Sequence, residues 1–106
     1  MLQSKELSIF EDLVYQATSK IARGKVSTYA QIAKEIGREK SYRAVGNALH
    51  KNPFAPLVPC HRVVYSTGRL GEYAFGKKKK MALLKEEGII ISNDQIVDFQ
   101  EKLFKF

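Results

Sequence analysis

Apolar residues recur at helical spacing along the first half of the chain. Phe10, Leu13, Val14, Ala17 and Ile21 follow the capping-box pair Ser8 and Glu11, which predicts a helix that runs on until Gly24. Thr28 and Gln31 repeat that start signature. Ala30, Ile32, Ala33 and Ile36 then give the stripe of a short second helix, which Gly37 can close in a left-handed cap. A third helix follows at once. Ser41 caps it, Ala44, Val45, Ala48 and Leu49 are its buried positions, and Asn52-Pro53 stops it, because proline disfavours helical geometry in the residue before it. Two short helices across a Gly-containing turn fit a helix-turn-helix, and an ordinary helical hairpin fits the same pattern equally well.

The periodicity changes beyond Pro53. Prolines at both ends of Phe54–Val58 predict an extended segment that delivers Cys60 to a strand end or a tight turn, and Val63, Val64 and Tyr65 continue in β-type composition. Ser66-Thr67-Gly68 is a turn. Leu70 to Gly76 is a glycine-punctuated loop with the freedom to fold over a pocket. Lys77 to Lys80 open another helix, with Met81, Leu83 and Leu84 as its apolar stripe and Gly88 as its stop. Ile89-Ile90-Ile91 predicts a short buried strand, and Asp94 to Phe106 a last amphipathic helix using Ile96, Val97, Leu103 and Phe104. The expectation is one mainly α domain over residues 1–106, winged-helix-like, with a helix-turn-helix and a short β hairpin or wing.

Charge adds a direction to this outline. The net charge is +7, and Lys20, Arg23, Lys25, Lys34, Arg38, Lys40, Arg43 and Lys51 crowd the predicted helix-turn-helix against only Glu35 and Glu39. Phosphates are the natural partner of such a surface. In a helix-turn-helix the first residues of the second helix reach base edges, here Tyr42, Arg43, Gly46 and Asn47, and the small Ala44, Gly46 and Ala48 would let that helix approach a groove closely. The Lys77–Lys80 run at a helix start is electrostatically poor, and it reads equally as a solvated face or as a place for a phosphate. A single cysteine excludes an internal disulfide, and with two histidines it disfavours a closed zinc site. No apolar run approaches the roughly 20 residues that span a bilayer, and the N-terminus carries charges where a signal peptide has its apolar core. A cytoplasmic location is expected.

The chemistry centres on Pro59-Cys60-His61-Arg62-Val63-Val64. A thiol is a strong nucleophile only as thiolate, and a neighbouring base supplies that ionisation. By themselves Cys60 and His61 read first as an inert buried hydrophobe and a core histidine held by a carbonyl.

Over about residues 10 to 88 the chain resembles the C-terminal catalytic and DNA-binding domain of the O6-alkylguanine-DNA alkyltransferases. Val26 to Ala33 resembles the first helix of that family's helix-turn-helix, and Tyr42 to Leu49 its recognition helix. Asn52-Pro53 and Pro59 to Val64 match its hinge and active-site signatures. Gly68, Gly71, Tyr73 and Gly76 match the fixed points of the substrate loop, and Lys80, Glu87 and Gly88 those of the closing helix. Residues 89–106 lie beyond the resemblance as a C-terminal extension. Many members carry an N-terminal domain that this chain is expected to lack.

The resemblance implies a monomer that binds double-stranded DNA through the minor groove and everts an O6-alkylated guanine into a pocket sized for a purine. Arg43 would fill the vacated space in the stack. Tyr29 would crowd the 3' phosphate and donate to guanine N3. Glu87 would orient His61, which through a water would take the proton of Cys60, and the thiolate would then displace guanine from the alkyl carbon, once per molecule and without a cofactor. Asn52 would brace the turn carrying Cys60, and the carbonyls of Cys60 and Val63 would read the guanine amino group. Backbone N–H groups near Tyr73 and Ala74 would donate to O6, and Phe75, where relatives have glycine, would narrow the pocket. Two other readings stand beside this one. A non-catalytic alkyltransferase-like protein flags lesions but replaces the cysteine, and a winged-helix regulator leaves Pro59 to Arg62 and Glu87 unexplained.

Overall fold

The computed structural model describes residues 8–106. The charged N-terminal stretch on which the absence of a signal-peptide core was judged, residues 1–7, lies outside them. Helix α1 (Ile9–Thr18) starts as the sequence predicts: the Ser8 hydroxyl accepts from the Glu11 N–H and the Glu11 carboxylate accepts from the Ser8 N–H. Strand β1 (Ser27–Thr28) runs into α2 (Tyr29–Glu35), where Thr28 accepts from the Gln31 N–H. Helix α3 (Tyr42–His50) completes the helix-turn-helix. Ser41 does not cap it with its hydroxyl. With ψ at 24° its backbone lies outside the extended region a capping side chain needs, and its own N–H instead closes the preceding turn on Arg38.

These three helices share one core. Val14, Ile21, Ile32, Ala33, Val45 and Leu49 are buried together, and the Tyr15 hydroxyl donates to the Ala48 carbonyl at 2.8 Å, pinning α1 to α3. Ala44 is exposed rather than buried, and Ala48 faces this core rather than a partner. Cys60, Val63 and Tyr73 belong to the same cluster. The nucleophile candidate therefore sits on the helix-turn-helix core and not on a separate lobe.

Residues 54–58 are not extended. They form successive turns, because the Asn52 amide grips both ends: its Oδ1 accepts from the Phe54 N–H and its Nδ2 donates to the Val58 carbonyl, each at 2.9 Å. Cys60–Arg62 then make one turn of 3₁₀-helix that leads into β2 (Val63–Val64), paired in parallel with β1. Tyr65 does not prolong the strand. Its N–H bonds Arg69 across the turn that Gly68 closes with φ 89°.

Helix α4 (Lys77–Glu86) carries the carboxyl-terminal half of the site. Beyond it the sequence expectations fail in part. Ile89 is buried but Ile90 is 66 % exposed, and the strand β3 (Ile91–Ser92) begins only after it. No helix runs from Asp94 to Phe106. Asn93 and Asp94 both take positive φ, 51° and 64°, in a two-residue turn that pairs β3 with the antiparallel β4 (Gln95–Ile96), the expected wing. Only α5 (Phe99–Lys102) remains helical. Hydrogen bonds then run both ways between Val26 and the tail, from its N–H to the Lys102 carbonyl and from the Phe104 N–H to its carbonyl. Ile96, Phe99 and Leu103 thereby close a second core with Val26, Val64, Leu70, Leu84 and Ile89.

Candidate active site and nucleic-acid groove

Cys60 is buried, 5 % exposed, at the start of the 3₁₀ turn. Burial pushes its thiol above the ordinary value, while a hydrogen bond from Asn52 and the Lys80 ammonium act in the opposite sense. The Asn52 amide that grips the turn before Cys60 also touches the sulfur's ionisation. His61 is buried beside it. Its Nε2 lies 2.8 Å from Glu87 Oε2, and its Nδ1 is buried with no hydrogen-bond partner. Burial depresses the imidazole below its usual value, although Glu87 pulls the other way, so the ring is neutral near pH 7. The contact with Glu87 is consequently an N–H donated to a carboxylate rather than an ion pair. This fixes the proton on Nε2 and leaves Nδ1 a free acceptor.

Glu87 is held by more than the histidine. Arg62 Nε donates to Oε1 at 2.8 Å and Nη2 to Oε2 at 2.9 Å, while Nη1 reaches the Ile21 carbonyl at 2.7 Å. Burial alone would raise the Glu87 carboxyl, but these donors outweigh it and the net shift is downward. Arg62 carries no expected role in the sequence pattern. Its signal was its place in the Cys-His-Arg run, one residue past the histidine it helps to set.

Lys80 departs most from expectation. The lysine run predicts solvent or a phosphate around it, yet its side chain is fully buried, with Nζ donating to the Val63 carbonyl at 2.8 Å and to the Glu72 carbonyl at 3.1 Å. Burial lowers its pKa to about 8. It cannot reach DNA, and the Val63 carbonyl already has a donor.

A small cavity of about 20 Å³ opens at Cys60, lined also by Leu49, Tyr73 and Ala74. That is room for about one water. In this conformation the expected purine-sized pocket is closed. The N–H groups of Tyr73 and Ala74 donate to no protein acceptor among the described residues. Phe75 does not line the cavity; it is 63 % exposed and stands edge-on to Tyr73 at 5.7 Å. Gly71 and Gly76, with φ 76° and 93°, bracket this loop in a conformation that L side chains rarely adopt.

Next to the cavity lies a groove of about 810 Å³. Tyr29, Tyr42, Arg43, Gly46 and Asn47 all line it, so the structure gathers the residues expected to meet nucleic acid on one face. Tyr29 is clamped there: a Cβ on Gly71 would stand 3.0 Å from its hydroxyl, and one on Gly46 would stand 3.8 Å from its ring. Burial drives the Tyr29 hydroxyl upward, which keeps it a hydrogen-bond donor. Tyr65, His50, Arg69 and Glu72 also line the groove and were not singled out from sequence. Tyr65 tilts over Tyr29 at 5.3 Å. Of the basic cluster, Lys20 and Lys51 pair with Glu35 and Glu11, whereas Lys34, Arg38, Lys40 and Arg43 are exposed. Among the described residues no group of three or more His, Cys, Asp or Glu is placed to hold a metal ion, and no helix is long and apolar enough to cross a membrane.

A helix-turn-helix groove that runs into a cysteine with its own histidine and carboxylate defines a class of protein, and sequence comparison names it. Residues 9–89 match the family model described as 6-O-methylguanine DNA methyltransferase, DNA binding domain, and the chain belongs to that family. It is 48 % identical over 79 residues to a methylated-DNA--protein-cysteine methyltransferase of Methanosarcina acetivorans, an alignment covering 74 % of this chain and 51 % of the relative. A Saccharolobus islandicus protein of the same name is 48 % identical over 85 residues, covering 80 % and 51 %. The chain thus spans about half the length of the curated relatives it matches. Among solved structures, Mycobacterium tuberculosis OGT in complex with DNA superposes with a TM-score of 0.75 at 41 % identity, over 76 % of this chain and 49 % of that one. Schizosaccharomyces pombe Atl1, in complex with damaged DNA containing O6-carboxymethylguanine, gives 0.83 at 30 % identity over all of both chains.

Proposed function

We propose that this protein repairs double-stranded DNA by moving an alkyl group from guanine O6 to its own Cys60, once per molecule and irreversibly. One observation carries the reading. His61 is anchored through Nε2 by an ionised Glu87 while its Nδ1 is buried without a partner, one residue from a cysteine that faces a cavity the size of a water. His61 does not line that cavity, so the relay would need a water bridging the sulfur and Nδ1 to accept the thiol proton and pass it on. The thiolate would attack the alkyl carbon in line, forming the C–S bond as the C–O6 bond breaks, and guanine would leave with the electron pair and take up a proton. Tyr29 and the unpaired N–H groups of Tyr73 and Ala74 would offset the charge developing on the leaving purine. The base enters through the mouth of the small cavity, which must widen to admit it while residues 71–73 stay tied to Tyr29, Lys80 and His61. DNA lies along the groove, its minor groove facing α3, with Arg43 holding the place of the everted nucleotide. The product thioether has no neighbouring group able to remove the alkyl, so no cofactor and no second turnover are expected.

A non-catalytic lesion binder is the second reading, favoured by the likeness to Atl1 over the full length of both chains. Incubation with a duplex containing O6-methylguanine, digestion and mass measurement of the Cys60 peptide separates the two. A peptide heavier by one methylene is expected. An unmodified peptide together with lesion-selective binding would establish the second reading instead.

A further inference from the structure

Four residues line both the groove and the small cavity at Cys60: Tyr29, Gly46, His50 and Glu72. They form the doorway that a base must cross to reach the sulfur. Glu72 is its one carboxylate, and the backbone on either side of it is fixed. The Glu72 carbonyl accepts from buried Lys80, Gly71 before it packs against the Tyr29 hydroxyl, and Tyr73 after it is buried edge-on to His61. Glu72 itself is exposed, and among the described residues it joins no ion pair. The nearby cations are placed differently. Arg43 and Arg69 line the outer groove but not the cavity, and the Lys80 ammonium is turned onto two backbone carbonyls. An unpaired negative charge therefore stands at the entrance of a protein whose net charge is +7.

We propose that Glu72 makes this doorway selective for uncharged O6 substituents, so that a neutral alkyl group passes to Cys60 and an anionic one such as carboxymethyl is held back. The proposal rests on the reading of the site as an O6-alkylguanine pocket. Backbone phosphates stay in the groove, where Arg43 and the exposed basic residues of the helix-turn-helix offset them. A carboxylate carried on the everted base would instead have to pass close to the exposed Glu72 carboxylate at the cavity mouth, where like charges repel. Both groups leave by the same bond changes, with C–S formed and C–O6 broken. The discrimination lies at entry.

The test compares single-turnover rates on three duplexes, containing O6-methylguanine, O6-carboxymethylguanine and the neutral amide of the carboxymethyl group, which has nearly the same size. For the wild type the amide should react at least about tenfold faster than the carboxylate, and Glu72→Gln should shrink that ratio to about threefold or less. Because the ratio is taken within one protein, any general loss of folding or DNA affinity cancels. The same ratio in both proteins would overturn the proposal. If the wild type takes up no alkyl group from any duplex, it is the transfer reading that fails. The Kd ratio of the amide and carboxylate duplexes then decides the doorway on binding alone, measured for Cys60→Ala with and without Glu72→Gln: a preference for the amide that Glu72→Gln abolishes supports it, and its absence overturns it.

Discussion

Replacing Lys80 by methionine should change how stability depends on pH more than it changes stability near neutrality. The ammonium is buried, and its pKa falls from 10.5 to about 8. At about 1.4 kcal/mol per unit, that depression corresponds to about 3 kcal/mol by which folding disfavours the charged form. Against it stand two hydrogen bonds to the Val63 and Glu72 carbonyls, each worth about 1.5–3 kcal/mol when the donor is charged. Methionine removes both the penalty and the bonds, so at pH 7 the two effects largely cancel. They separate at higher pH. The folded-state pKa is the lower one, so between about 8 and 10.5 the unfolded chain binds more protons and the lysine's contribution to stability rises with pH. Tyr29 and Tyr73 shift upward and pull the total the other way in alkali, but they are common to both proteins; Cys60, whose thiol the Lys80 ammonium lowers, shifts further upward in the variant and widens the difference in the same sense. The readout is therefore the wild-type-minus-variant difference in urea-unfolding free energy at pH 7, 8, 9 and 10. It should grow in favour of the wild type by about 2 kcal/mol or more across that range. A difference that stays flat would mean that the ammonium is solvated and the burial argument is wrong.

The other predictions concern the site. The acid limb of transfer should lie below the ordinary histidine value of 6.5, because burial depresses His61 and it must be neutral to take a proton; single-turnover rates between about pH 5 and 8 check this, and a limb at or above 6.5 refutes it. The same depression means that stability present above that value is lost as pH falls through the folded-state pKa. Glu87→Gln should slow transfer by about 10²-fold or more, since it removes the carboxylate that orients His61, and a rate within about threefold of wild type would show that the anchor is not used. Arg43→Ala should slow reaction on duplex DNA more than reaction with a free O6-alkylated base, which needs no eversion; equal losses would remove Arg43 from the flipping step.

Legibility from sequence followed the range of the interactions. The capping box at Ser8, the Thr28 cap and the Gly37 turn are decided within a few residues, and each forms as expected. The proximity of His61 and Glu87, 26 residues apart, came from the family resemblance and not from any local pattern. The tail departs from its pattern because Ile96, Val97, Leu103 and Phe104 can be fitted to a helical stripe, whereas Asn93-Asp94, two residues tolerant of positive φ, turn the chain back on itself. Lys80 was unreadable for a different reason. Nothing local marks one lysine of four as buried; only the carbonyls of Val63 and Glu72, brought from two other segments, make its burial possible.

Arg62 explains why a cysteine beside a histidine is not enough. A buried carboxylate needs a cation, and were His61 the sole partner of Glu87, the pair would be most stable with the imidazole protonated. A protonated imidazole cannot act as a base. The forked guanidinium of Arg62 neutralises Glu87 through both oxygens, so the carboxylate orients His61 without forcing a proton on it. The same guanidinium reaches the Ile21 carbonyl just beyond α1, and Arg23 reaches the Glu86 carbonyl at the end of α4. The contacts that keep His61 ready to accept a proton are therefore also those that lock α1, the 3₁₀ turn and α4 together. On this account Arg62→Met, with its carboxylate uncompensated, should raise the His61 pKa and move the acid limb of transfer upward, while Arg62→Lys, which keeps the charge but loses the fork, should move it less; identical limbs in all three proteins would separate the ion pair from the chemistry.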